Sequence, residues 1–189
     1  MPQLPTRGLF LDRDGVINED TGFLSQSADV LFVPGIFSLC RTAQGLGYKL
    51  VVITNQSGIG RGYYTEAEFL SLMDWMRGEF QREGICLDAV YFCPYHPVHG
   101  IGDYRREHEN RKPDSGMLLQ AAREFDIALS QSVLVGDRCT DIAAANKAGL
   151  RQAFLLGSTP EAGCHGEFTA AATLSEVEHW LIQHETTPV

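Results

Sequence analysis

No apolar run in this 189-residue chain approaches the roughly 20 residues that cross a bilayer. The opening stretch, Met1 to Gly8, lacks the hydrophobic core of a secretion signal. Both absences point to a cytoplasmic protein with no membrane partner. A basic excess is missing too. The net charge is −9, which argues against nucleic-acid partners, because non-specific binding of that kind needs a basic face. Any phosphate site must therefore be made locally cationic by metal, Lys and Arg. The five cysteines (Cys40, Cys86, Cys93, Cys139, Cys164) contain no C-x-x-C pair. Their odd number and wide spacing suit reduced thiols rather than a disulfide framework. No repeat, low-complexity segment or linker interrupts the chain, and no insertion is long enough for a separate lid. What remains is an ordinary globular composition, 44% hydrophobic and 21% charged, read as a single domain over 1–189 and as a monomer.

The elements alternate. Residues 8–12 read as a strand, and Pro34 to Gly47 as a helix with proline in its first turn. Lys49 to Thr54 (KLVVIT) is a nearly continuous apolar run, as a buried parallel strand requires. Thr65-Glu-Ala-Glu68 is a capping box that opens a long helix, with Phe69, Leu72, Met73 and Met76 on one stripe. Leu87 to Cys93 reads as a third strand and Pro113 to Phe125 as a helix. Ser132 to Asp137 is a fourth strand, Thr140 to Ala148 a helix stopped by Gly149, and Arg151 to Leu156 a fifth strand. Residues 157–172 read as surface loop, Leu174 to His184 as a last helix, and the tail from Glu185 as frayed. This pattern predicts an α/β fold: a Rossmann-like parallel sheet with helices on both faces and no large cap domain. The loop over 94–112 is long for a compact domain, and loops of that length are usually functional or disordered.

Four strand ends carry chemistry. The first run ends in Asp12-Arg-Asp14-Gly15. Two carboxylates close together repel each other unless a divalent cation such as Mg²⁺ lies between them, and that ion prefers oxygen ligands. A carboxylate not wholly engaged as a ligand can attack phosphorus. Alone, the same residues also describe a solvated turn. Thr54-Asn55-Gln56-Ser57-Gly58 offers a hydroxyl, two amides and exposed N–H groups to phosphate oxygens, or is simply a turn. Arg61, in the following Gly-Ile-Gly-Arg-Gly, contacts an anion or stands in solvent; the glycine spacing is not that of a dinucleotide fingerprint. Arg111-Lys112-Pro113 would set a point charge near a helix N-terminus and a bidentate grip beside it, or form a basic turn. Asp137 follows the fourth strand as Asp12 follows the first, so it can complete a metal site. Asp141 lies one turn on, placed to orient metal-bound water or to cap the helix.

In this order and on these elements, FLDRDG, VVITNQSG, RKP and VLVGDRCTD resemble the haloacid dehalogenase-like phosphatases over nearly the whole chain. The resemblance implies that Asp12 is the nucleophile. Asp14 is then the acid and base, and lends its carbonyl to Mg²⁺. Thr54 and Lys112 bind the transferring phosphoryl group, and Asp137 binds Mg²⁺. Within that family LDRDGVIN (11–18), ITNQSGIGRG (53–62), Cys93 to Pro97, NRKPDSGMLL (110–119) and GDRCTDI (136–142) are most similar to the heptose bisphosphate phosphatases. Those enzymes act on a small sugar bisphosphate and supply precursors of surface polysaccharide. By the same matching, Asp20, Thr21, Gly22, Phe23, Asn55, Gln56, Ser57, Arg61, Arg111 and Arg138 fall at substrate-contacting positions. The similar histidinol-phosphate phosphatases share the first motif and RKP and are the alternative. A polynucleotide 3′-phosphatase is disfavoured by charge. A binding protein with a relic site is disfavoured by the intact set of five residues.

One departure stands out. Relatives of this type pin the 94–112 loop with a structural zinc through C-x-H and C-x-C. Here Cys93 remains, but Tyr95, His108 and Asn110 replace the other three ligands. Tyrosine and asparagine are poor zinc ligands. A shifted set of Cys93, His96, His99 and His108 is the alternative. The expectation is a loop held by hydrogen bonds and by packing of Tyr95 and Tyr104, without structural zinc.

Overall fold

The computed structural model describes residues 5–157 and 164–185. Six strands form one sheet: β1 (Arg7–Leu11), β2 (Tyr48–Asn55), β3 (Ala89–Cys93), β4 (Val133–Gly136), β5 (Gln152–Leu156) and β6 (Thr169–Ala171). Their order is β3-β2-β1-β4-β5-β6, and every neighbouring pair is parallel. Parallel strands need crossovers, and α1 (Ile36–Gly45), α2 (Ser57–Gly60), α3 (Glu66–Arg82), α4 (Gly116–Phe125) and α5 (Cys139–Ala148) lie in them, while α6 (Leu174–Glu185) follows β6.

Strand periodicity divides the core into two layers. Leu9, Leu11, Leu50, Val52, Val133 and Val135 face α1, α3 and α6, where Leu39, Phe69, Met76, Phe80 and Leu181 meet them. The intervening residues Phe10, Val51, Ile53 and Leu134 face Met117, Leu118 and Ala121 of α4 and Ile142 and Ala145 of α5. Residues on both sides of each inner strand are buried, so these strands read as unbroken apolar runs. The chain order turns back beside β1, which pairs with β2 on one side and β4 on the other. In open sheets of this kind ligands bind outside the carboxyl ends of the strands at such a switch point.

Several boundaries differ from the sequence reading. Pro34 lies outside α1, which starts at Ile36 because Gly35, at φ 93°, serves as a left-handed cap. Pro113 likewise lies outside α4. The Lys112–Pro113 bond is cis, and the chain turns once more before Gly116, whose N–H donates to Glu109 O at 2.9 Å. The 157–172 stretch is not all loop. It contains β6, whose three residues are too few to show a period. Residues 157 and 164–172 of that stretch are described, and the tail beyond Glu185 lies outside the described residues. Cys139 and Cys164 form a disulfide, Cα to Cα 5.0 Å, against the expectation of five reduced thiols. They stand 25 residues apart, and only the folding of α5 beside β5 and β6 brings them together. The capping box at Thr65 and the stop at Gly149, φ 72°, form as the sequence predicts. Among the described residues no helix is long and apolar enough to cross a membrane.

Candidate active site

The acidic residues converge because two adjacent strands end together. Asp12 follows β1, and its N–H still donates to Val135 O of β4 at 3.0 Å. Asp137 follows β4. Asp12, Asp137 and Asp141 each offer an oxygen within 4.8 Å of the others, the one such cluster among the described residues. Gly15, at φ 84°, lets the chain pass here; a side chain at that position would run into Asp137. Burial pushes the Asp12 carboxyl up to about 7, a shift that Asp141 and Asp137 add to and Lys112 opposes. Burial and then Asp141 push Asp137 up to about 6. Asp137 Oδ1 is buried without a hydrogen-bond partner. Hard oxygen donors crowded in this way, one of them unpartnered, are the chemistry that suits Mg²⁺.

Lys112 lies inside the cluster rather than at the α4 N-terminus where the sequence placed it. It is 2% exposed. Its Nζ donates to Ile53 O at 2.9 Å and lies 2.9 Å from Asp12 Oδ1 and 2.6 Å from Asp141 Oδ1. Burial acts to lower its pKa, but the pull of Asp12 and Asp141 exceeds that and holds the ammonium above its ordinary range. Asn55 fixes the backbone at Lys112 with two bonds of 3.0 Å: its Nδ2 donates to Lys112 O, and its Oδ1 accepts from Lys112 N–H. Asp141 also accepts from Arg138 N–H through Oδ2 at 3.1 Å, so it caps α5 and holds Lys112 together.

Asp14 has a different environment. Arg13, wholly buried, donates Nη2 to both Asp14 carboxylate oxygens at 2.8 Å and Nε to one at 3.0 Å. Asn18 Nδ2 and Gln56 Nε2 each add a bond of 3.1 Å. The Asp14 side chain therefore stands outside the three-carboxylate cluster. Gln56 Nε2 also donates to Thr54 Oγ1 at 2.8 Å, and Tyr64 Oη donates to Gln56 Oε1 at 2.5 Å.

One cavity of about 390 Å³ opens beside these groups, and Asp137 and Asp141 are not among its lining residues. Of the residues singled out from sequence, Asp12, Asp14, Thr54 and Lys112 line it, with Asn55, Gln56 and Ser57. Asp20, Gly22, Phe23, Arg61, Arg111 and Arg138 also line it. Thr21 does not; it lines a separate hollow with Leu24, Ser25 and Leu31. Asp20 pairs with Arg138 at 2.7 Å across the rim. Phe23 meets Tyr63 edge-on at 4.5 Å, with Arg61 at 5.5 Å from its ring. Arg111 is tied to Tyr95 O at 2.9 Å. Lys112, Arg61, Arg111 and Arg138 thus bring positive charge to a cavity whose lining acids are Asp12, Asp14 and Asp20.

Gly58, the last residue of the Thr54 run, lines the cavity as well, as do Tyr64, His96 and Thr140, which sequence reasoning did not place at a substrate site. The sequence offers His96 only as a metal ligand. Its Nδ1 accepts from Val98 and His99 N–H at 3.2 and 3.1 Å, and burial, then Arg111 and Arg61, lower its pKa. Arg13 was missed as well, although its guanidinium lies between two carboxylates in the sequence. In the 94–112 loop Tyr95 stacks on His108 at 4.5 Å and lies 5.9 Å from Tyr104, with Arg106 at 4.1 Å from its ring. Tyr104 Oη donates to Glu66 Oε1 at 2.9 Å. Tyr95 and Tyr104 thus make the aromatic and hydrogen-bonding contacts expected of them.

Residues 109–175 match the HAD-hydrolase-like family model. The chain is 51% identical over 153 residues to the D-glycero-alpha-D-manno-heptose-1,7-bisphosphate 7-phosphatase of Burkholderia mallei, covering 81% of each chain. It is 41% identical over 178 residues to the D-glycero-beta-D-manno-heptose-1,7-bisphosphate 7-phosphatase of Vibrio cholerae, covering 93% of this chain and 96% of that one. The crystal structure of D,D-heptose 1,7-bisphosphate phosphatase from B. bronchiseptica, complexed with magnesium and phosphate, superposes with a TM-score of 0.82 at 27% identity, covering 95% of this chain and 99% of that one. The chain belongs to the D-glycero-D-manno-heptose-1,7-bisphosphate 7-phosphatase family of HAD-like phosphatases, which are phosphoric monoester hydrolases.

Proposed function

We propose that this protein removes the 7-phosphate from D-glycero-D-manno-heptose 1,7-bisphosphate through an aspartyl-phosphate intermediate. The observation that carries this reading is Asp12 at the strand end, held by Lys112 at the floor of a cavity rimmed by arginines. The names of the relatives at 51% and 41% identity support the choice of substrate. The product keeps its anomeric phosphate, as a precursor of ADP- or GDP-heptose for surface polysaccharide requires.

Asp12 forms a bond to phosphorus as the bond from phosphorus to the sugar 7-oxygen breaks. Asp14 gives its proton to that oxygen, and in the second step takes one from the water that cleaves the aspartyl-phosphate and frees inorganic phosphate. Lys112 and the Thr54 hydroxyl hold the equatorial oxygens, where charge accumulates in the transition state. Asp141 keeps the Lys112 ammonium in place. Mg²⁺ suits Asp12, Asp137 and the Asp14 carbonyl, and when bound it neutralises charge on the phosphoryl group. Arg111, Arg61 and Arg138, with Asp20, Gly22 and Phe23, contact the rest of the sugar bisphosphate.

Phosphate release from the α- and β-heptose bisphosphates, histidinol phosphate and fructose 1,6-bisphosphate tests this reading. A heptose bisphosphate is expected to be the best substrate, and the relatives' names make both anomers necessary arms. A clear preference for histidinol phosphate would overturn the assignment.

A further inference from the structure

Tyr64 has no part in the steps above, yet it is buried beside them, 6% exposed. Its hydroxyl ends on Gln56 Oε1, and the other end of the same amide serves both Thr54 and Asp14. A carboxamide has a donor end and an acceptor end, so the Tyr64 proton selects which way Gln56 faces. Reversed, the amide would set Oε1 against the ionised Asp14 carboxylate that takes a proton from water in the second step, acceptor against acceptor. It would also accept the Thr54 proton. In the observed sense Gln56 Nε2 occupies a lone pair on Thr54 Oγ1 and leaves that hydroxyl proton free to donate to a phosphoryl oxygen.

We propose that Tyr64 is a positioning residue, which through the Gln56 amide holds the Thr54 hydroxyl in its donating sense and fixes one edge of the Asp14 carboxylate. This rests on the phosphatase reading of the site. Two features support it. A side chain at Gly58 would run into the Tyr64 ring, so the glycine leaves the room that the ring occupies. Burial raises the Tyr64 pKa, so the phenol keeps the proton it donates at neutral pH.

Tyr64→Phe keeps the ring and removes the proton. With Mg²⁺ saturating, kcat should fall about three- to tenfold, the value of one hydrogen bond, equally on heptose bisphosphate and on p-nitrophenyl phosphate. KM should stay within about twofold, since the lost contacts strengthen as charge develops. In a Gln56→Leu background the same substitution should change nothing further. Gly58→Ala, which displaces the hydroxyl without deleting it, should lower kcat in the same way, and it covers the case in which Tyr64→Phe folds poorly. An unchanged kcat in Tyr64→Phe, or an additive loss in the double variant, would overturn the proposal while leaving the phosphatase reading intact. A rise in KM confined to the sugar substrate would also overturn it, by making Tyr64 a substrate contact. Absence of any phosphatase activity in the unsubstituted protein would remove both.

Discussion

Replacing Lys112 by Met tests the electrostatics of the site in depth. The ammonium is 2% exposed and compensates Asp12 and Asp141 at 2.9 and 2.6 Å. Met matches the length of the side chain but leaves three clustered carboxylates with no cation. Breaking a buried ion pair by removing one partner costs about 3–5 kcal/mol. In a chain of this size that corresponds to a fall in Tm of roughly 6–20 °C. The loss should depend on pH. Asp12 and Asp137 are already raised to about 7 and about 6, so between their ordinary range and those values the native state binds protons that the unfolded chain does not. Native stability from these groups is therefore present at low pH and lost as pH rises through the raised values. Without Lys112, which opposes the Asp12 shift, the Asp12 carboxyl rises further, and the cluster takes up a proton more readily at pH 5.5 than at pH 8.5. The full penalty should appear at pH 8.5 and a smaller one at pH 5.5, read by thermal and urea unfolding of metal-free protein. Activity should drop at least about a hundredfold, as for the loss of a preorganised donor to a developing anion. A variant as stable as the unsubstituted protein at pH 8.5 would refute the claim that Lys112 neutralises the cluster.

Asp12→Asn should abolish phosphate release with an unchanged circular-dichroism spectrum, because an amide of the same shape cannot serve as the nucleophile. Arg111→Ala should cost about ten- to a hundredfold in kcat/KM on bisphosphate substrates, the value of a charge-assisted contact, and less on monophosphates; equal losses in a substrate panel would count against a distal grip. Mg²⁺ added to metal-free protein should raise Tm more at pH 8.5 than at pH 5.5, since the cation relieves repulsion only where the carboxylates are ionised; a pH-independent shift in differential scanning calorimetry would contradict this. Elemental analysis of protein purified without added metal should find no stoichiometric zinc, and about one zinc per chain, lost on Cys93→Ser, would show a rebuilt ligand set.

The strand ends were legible because each inner strand is buried on both faces. Apolar runs such as Phe10-Leu11 and Val51-Val52-Ile53 stop where the chain reaches Asp12 and Thr54. The first polar residue after each run is therefore a site residue. What the sequence hid was pairing across the fold. Asp141 has the spacing of a helix cap, and it is one. Its second role depends on Lys112 arriving from a loop beyond β3. Lys112 itself looked like the charge at a helix start, since nothing local shows that Pro113 precedes α4 by a turn. Tyr64 sits eight residues after Gln56 with no motif to join them, and α2 folds the chain back between the two. The Cys139–Cys164 pairing and β6 are hidden for the same reason. Their partners are fixed by β5, not by neighbours in the chain.

The most direct measurement follows heptose 1,7-bisphosphate by phosphorus NMR in the presence of Mg²⁺ and this protein. The C7 phosphomonoester signal should disappear as inorganic phosphate grows, while the anomeric phosphate signal persists, and Asp12→Asn should leave both sugar signals unchanged. Loss of the anomeric phosphate first, or turnover that survives in Asp12→Asn, would contradict the proposed reaction.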